Sequence, residues 1–246
     1  MVQKQVTIRT ADGDCPTYVV TPKGTGPWPA VIIYMDALGM RPALLDIATR
    51  LAENGYLSLL PDLFYRSIPY DIPTPTEVFA KGEFAKIIGP LMEKTGPTQA
   101  AADTRQYLDY LDTRNDVKGG KIGTVGFCMG GGMALAAAGT YPDRVAAAAS
   151  FHGGNIASDK PNSPHLLASK MKGEIYVAGA DNDHSYPPEM HEKLKAAFDE
   201  AGVNYRAEIY PGAMHGWMKP DFPIYNEDAA ERGWREMLAL FARNLG

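Results

Sequence analysis

The run Lys121-Ile122-Gly123-Thr124-Val125-Gly126-Phe127 leads straight into Cys128-Met129-Gly130-Gly131-Gly132. An apolar strand-like stretch therefore meets a small-residue helix-like stretch with almost nothing between them. The join must be so tight that residues two places either side of its apex nearly touch. Gly126 and Gly130 occupy those places, and Cys128 occupies the apex. A small-x-nucleophile-x-small turn of this kind lifts one side chain above the edge of a sheet. The N–H of the next residue, Met129, faces the same point. The helix starting there adds a positive end that favours a thiolate. The competing explanation is a Gly-rich turn needed only for close helix–strand packing. A dinucleotide fingerprint fits less well, because G-x-G-x-x-G needs a glycine where Cys128 stands.

The rest of the chain supplies the sheet that such a turn requires. Val2 to Thr10 and Cys15 to Thr21 read as a hairpin joined around Asp12-Gly13. Strands are expected at Ala30 to Met35, Tyr56 to Pro61, Lys121 to Phe127, Arg144 to Phe151, Gly173 to Gly179 and Tyr205 to Tyr210. Their continuous apolar runs fit strands buried on both faces. Helical spacing covers Arg41 to Asn54, Phe79 to Met92, Thr98 to Thr113, Met129 to Gly139, Pro187 to Ala201 and Asp228 to Asn244. Ser67 to Pro75 is Pro-rich and reads as a surface loop. Alternating strands and helices predict an α/β fold: a mostly parallel central sheet of about eight strands with helices on both faces. All 246 residues fit one domain. In such sheets, sites gather at the carboxyl ends of the strands.

A nucleophile on this turn needs a base and an acid, in the order nucleophile, acid, histidine. His215 follows the last strand and precedes the final helix, where the base is expected. The acid belongs after the preceding strand, where Asp181 and Asp183 both qualify and spacing does not choose between them. It would fix the imidazole tautomer and stabilise the imidazolium. Met129 N–H and the N–H of Ala37, in the loop after the first core strand, are the candidate oxyanion donors. His152 and His184 also follow strands and could approach the pocket, without metal-ligand spacing. His165 and His191 read as surface residues. No metal site and no cofactor are expected.

Composition removes other classes. The net charge is −5, and no Lys/Arg run could track a phosphate backbone, so nucleic acid is not an expected partner. No stretch approaches 18 apolar residues, and the first residues lack the apolar core of a signal peptide, so no membrane association is expected. Two cysteines far apart in sequence do not suggest a disulfide framework. A cytoplasmic monomer or small homo-oligomer acting on a small molecule fits best.

With these residues in place, the sequence resembles the dienelactone hydrolase (carboxymethylenebutenolidase) family of the α/β-hydrolase superfamily over nearly its whole length. The mark is cysteine in Gly126-Phe127-Cys128-Met129-Gly130-Gly131, matching a G-x-C-x-G-G elbow. Asp183-His184-Ser185-Tyr186-Pro187 matches the family's D-x-x-x-P segment, so the resemblance favours Asp183. Ala213-Met214-His215-Gly216 matches its histidine loop loosely, with Met214 in place of a glycine. The resemblance implies a Cys128–His215–Asp183 triad and hydrolysis of an ester or lactone through an acyl-enzyme. It implies a thiol-assisting acid at Asp36, where the family's E-x-F-G reads Asp36-Ala37-Leu38-Gly39. A plain loop carboxylate near Arg41 is the alternative. It also implies a carboxylate clamp made by Arg66, after Pro61-Asp62-Leu63-Phe64-Tyr65, and by Lys219, four residues beyond His215. Tyr65 and Trp217 are candidate pocket walls. An ester or lactone bearing a carboxylate is thus the expected substrate. A thioesterase or general carboxylesterase is the alternative, and a non-catalytic thiol or binding module is a third.

Overall fold

The computed structural model describes residues 1–246. Its frame is one eight-stranded sheet in the order β1-β2-β4-β3-β5-β6-β7-β8. The strands are β1 (Val2–Thr10), β2 (Gly13–Thr21), β3 (Trp28–Tyr34), β4 (Leu57–Pro61), β5 (Val117–Phe127), β6 (Val145–Phe151), β7 (Glu174–Ala180) and β8 (Tyr205–Tyr210). β1 and β2 form the expected antiparallel hairpin, paired Thr10 to Gly13 at the turn, and β2 runs antiparallel to β4. Every other pairing is parallel. This is the mostly parallel sheet of eight strands that the alternation predicted, and it fits the α/β-hydrolase fold that the resemblance implied.

Burial follows position. β1, on the sheet edge, is mostly exposed, whereas Ala30 to Tyr34 of β3 is inaccessible to solvent. Helices α1 (Pro42–Glu53), α4 (Pro97–Asp112), α5 (Met129–Thr140), α6 (Pro188–Ala201) and α7 (Glu227–Leu245) cover the two faces. Neighbouring residues of β5 show the division, since successive side chains point to opposite faces. A Cβ at Gly123 would press on Phe241 and Leu245 of α7, while the Thr124 hydroxyl donates to the Ala134 carbonyl of α5. α1 packs beside α7, with Arg50 forked onto Glu231 and its guanidinium over the Trp234 ring. No helix is long and apolar enough to cross a membrane.

One expected element divides. The helix read over Phe79 to Met92 is two helices, α2 (Pro75–Lys81) and α3 (Phe84–Glu93). Thr74 and Glu77 form a reciprocal cap at the start of α2, and Gly82 ends it in a left-handed conformation at φ 64°. The α2–α3 pair rests on a small apolar cluster of Ala37, Leu38, Val78, Ile88 and Phe222, separate from the main core.

Candidate active site

Cys128 joins β5 to α5 at φ 54° and ψ −117°, a backbone conformation that costs a non-glycine residue about 1–3 kcal/mol. The surroundings hold it there. A Cβ on Gly126 would overlap the Gly130 carbonyl, and one on Gly130 would overlap the Tyr34 carbonyl at the end of β3. The glycines therefore let three backbone segments close on one another. Cys128 N–H donates to the Phe151 carbonyl at 3.1 Å and to His152 Nδ1 at 3.2 Å.

The loops after β7 and β8 bring Asp183 and His215 together. His215 Nδ1 lies 2.7 Å from Asp183 Oδ2 and 3.1 Å from the Ser185 hydroxyl. The other Asp183 oxygen accepts from Ser185 N–H and Oγ–H at 2.8 and 2.7 Å. Burial works against the Asp183 charge, yet His215 and Ser185 together hold its carboxyl below the usual carboxylate range. Burial likewise opposes a charge on His215, but the facing Cys128 sulfur and the Asp183 carboxylate push its pKa up to about 10. Asp181 does something else. Its carboxylate accepts from Gly212 N–H at 3.0 Å, and its own N–H donates to the Ala213 carbonyl, stapling the two loops together.

Asp36 is fully buried at the cavity wall. Its oxygens accept from Leu38 N–H at 2.9 Å and from both Arg41 terminal nitrogens at 2.8 and 2.9 Å. Lys219 Nζ lies 3.5 Å away, and Arg41 Nε also donates to Asp221. Burial would disfavour the Asp36 charge, but Lys219 and Arg41 outweigh it and lower its pKa. Both oxygens are thus committed to these partners. Ala37 and Met129 border the cavity beside Cys128, and Ala37 N–H has no acceptor in the protein.

The expected carboxylate clamp is not assembled. Arg66 is drawn to Asp103 at 2.8 Å and to Asp12 at 2.7 Å, with its guanidinium stacked 4.5 Å from the Tyr65 ring. The Tyr65 hydroxyl is taken by Thr10 and Asp103. Lys219 is wholly buried, held between Asp36 and the Phe127 ring, whose centroid lies 3.5 Å from Nζ. Burial lowers its pKa to about 7. Trp217 is packed against Tyr210 and Phe151. None of these four side chains lines the cavity, which has a volume of about 1040 Å³. The carboxylates that capture Arg66 and Lys219 come from distant parts of the chain, and that competition decides where the cations point.

Other residues at the site carried little or no sequence signal. His152, read only as approaching the pocket, is buried beneath the elbow with its ring 5.4 Å from that of His215. Burial first, then the charges of His215 and Lys219, drive its pKa well down, so it is a neutral acceptor for Cys128 N–H. Its positive φ of 40° has no signature in the residue type. Ser185, inside the Asp183 segment, and Arg41, beyond Asp36, could have been sought as hydrogen-bond partners of those acids. His165 and His191 are not the surface residues expected. His165 is buried against the Ser163 hydroxyl, and His191 is partly buried against Tyr186.

Comparison with known proteins shows the family. A model of the dienelactone hydrolase family matches residues 15–245. A Synechocystis sp. protein provisionally named carboxymethylenebutenolidase is 28% identical over 98% of this chain and 96% of its own length. An Escherichia coli K12 protein with the same provisional name is 30% identical over 92% of this chain and 81% of its own. The crystal structure of a provisionally named dienelactone hydrolase from Klebsiella pneumoniae superposes with a TM-score of 0.84, at 25% identity, over 98% of both chains. With a family match over almost its full length and a strand-to-helix elbow at the centre of its sheet, the chain belongs to the dienelactone hydrolase family.

Proposed function

We propose that the protein hydrolyses a carboxylic ester or lactone by covalent catalysis at Cys128. The family and its relatives support ester or lactone hydrolysis. The observation that supports this mechanism is geometric: Cys128 on the strand-to-helix elbow and His215, held by Asp183 at 2.7 Å, face one cavity. A base in that position can take the thiol proton as Cys128 attacks, which activates the nucleophile. Cys128 Sγ adds to the substrate carbonyl, and the Met129 and Ala37 N–H groups receive the oxyanion. His215 passes its proton to the departing alkoxide as the C–O bond breaks, leaving a thioester on Cys128. The now neutral His215 takes a proton from water, whose oxygen adds to the thioester carbonyl. The thiolate leaves and the acid is released. Asp183 and Ser185 fix the His215 ring throughout.

Asp36 acts in this scheme through the backbone. Its bonds to Leu38 N–H and Arg41 hold the loop that presents Ala37. The cavity wall without Arg66 and Lys219 favours a general carboxylesterase or thioesterase over an enzyme for a carboxylate-bearing lactone. The thiol chemistry needs Cys128 reduced, which fits a cytoplasmic setting.

Intact mass measurement during turnover of p-nitrophenyl acetate tests the mechanism. One acetyl group is expected on Cys128, with a burst of nitrophenolate. Cys128→Ala should lose the adduct and at least about a thousandfold in kcat/KM. Turnover retained by Cys128→Ala overturns the assignment.

A further inference from the structure

The charged groups of the cavity and its apolar lining lead to the same substrate chemistry. The wall carries one lysine, Lys160, which is exposed to solvent, and a surface cation of that kind contributes little to binding. Glu93 and Asp181 also line the cavity. His215 is already paired with Asp183 at 2.7 Å. Arg66 and Lys219, the cations the sequence pointed to, do not line the cavity, and each is paired with a carboxylate of the protein, Arg66 with Asp103 and Lys219 with Asp36 of the cavity wall. A substrate carboxylate entering here would lose water and gain no buried partner, which is costly.

The apolar part of the wall is extensive. Leu38, Met129, Met133, Phe222 and Ile224 line the cavity near the elbow and beneath α2–α3. Nine large hydrophobic side chains of the protein are exposed, and four of them (Phe79, Phe84, Met92 and Met214) line this one cavity. Such clustering of exposed apolar surface marks a binding site rather than the scatter usual on a soluble protein. The volume of about 1040 Å³ is at the upper end for a small-molecule site and exceeds what a compact lactone acid would fill.

We propose that the substrate is an uncharged ester carrying a large apolar group, which lies between the Cys128 elbow and the α2–α3 pair. This rests on the hydrolase function above and narrows it: the enzyme selects against a free carboxylate on the substrate. The α2–α3 pair supplies the selectivity, because its exposed Phe79, Phe84 and Met92 gain burial only when an apolar group is present.

Two substrate comparisons test the proposal. The first sets p-nitrophenyl hemiglutarate against its methyl ester, which share a leaving group and differ by one charge. The neutral ester should be preferred at least about tenfold in kcat/KM. The second follows chain length in p-nitrophenyl acetate, butyrate and octanoate, and separately in ethyl, butyl and octyl acetate. At least one series should rise by up to about fourfold per methylene, equivalent to about 0.8 kcal/mol. Parity or preference for the charged hemiester overturns the proposal, as does a flat response in both length series. Absence of Cys128-dependent turnover on every ester is a different result. It removes the hydrolase function itself, and the substrate proposal with it.

Discussion

The protein holds two cysteines in opposite surroundings. Cys15 lies within β2, fully buried, with its sulfur 3.5 Å from the Asp62 carbonyl and 3.5 Å from the Tyr107 hydroxyl. Burial pushes its thiol up to about 11, and the carboxylates of Asp62 and Asp103 act in the same direction. Cys128 is partly exposed at the cavity, precedes the first residue of α5 with a positive φ of 54°, and faces His215. The thiol chemistry is identical. What differs is the sign of the neighbouring charge and the access to solvent. A thiol becomes a nucleophile where positive charge and the amino end of a helix meet it at an open surface. The same thiol among carboxylates in a core behaves as a small apolar residue.

Alkylation gives the largest expected contrast. At pH 7, a thiol with a pKa of about 11 is ionised in about one molecule in ten thousand, and Cys15 is also out of reach. Iodoacetamide should therefore label Cys128 at least about a thousandfold faster than Cys15, as read by peptide mass spectrometry over time. Comparable rates would remove the distinction between the two sites.

Replacing His215 with Asn should bring Cys128 closer to Cys15 in behaviour. The expected loss is about 10²–10⁴ in kcat, with slower alkylation of Cys128 near neutral pH. The stability of the pair depends on pH with a definite sign. His215 is raised to about 10 in the folded protein, against about 6.5 in the unfolded chain. Its contribution is complete below about pH 6.5 and is lost as pH rises through about 10. Urea unfolding of wild type and His215→Asn at pH 6, 8 and 10 should show the wild-type advantage shrinking with pH. An advantage that grows over this range would mean that His215 is not held protonated by Cys128 and Asp183.

Much of the Cys128 side of this comparison was legible in the sequence, and the reason is steric. Gly126 and Gly130 have to be glycine because backbones meet there, so the turn writes itself into residue identity. The loop placement of Asp183 and His215 followed from the strand order. Choosing Asp183 over Asp181 took a family resemblance, because both lie at the end of β7 and only the fold decides which one reaches His215. Side-chain direction was much less legible. Arg66 and Lys219 have the right positions along the chain, yet each turns toward a buried carboxylate contributed by another element. The break at Gly82 was missed because helical periodicity carries across a single left-handed residue.

Arg66 provides the finest test, because it belongs to the Cys15 side of the molecule while its sequence position suggests the Cys128 side. Its guanidinium is 11% exposed and Asp103 3% exposed, and the second Asp103 oxygen has no hydrogen-bond partner. Burial already raises the Asp103 pKa, and Arg66 is the main group opposing that shift. Arg66→Gln should therefore cost stability, on the order of 3 kcal/mol, because it strands a buried carboxylate. The lost cation would also leave the surroundings of Cys15 more negative still. At the cavity almost nothing should change: kcat/KM for p-nitrophenyl hemiglutarate and for its methyl ester should each stay within about twofold of wild type, since rim-distant charges act weakly through solvent. A selective loss of the charged hemiester would mean that Arg66 swings away from Asp103 to meet a substrate carboxylate. The line between the inert, acidic surroundings of Cys15 and the reactive surroundings of Cys128 would then have to be redrawn through Arg66 itself.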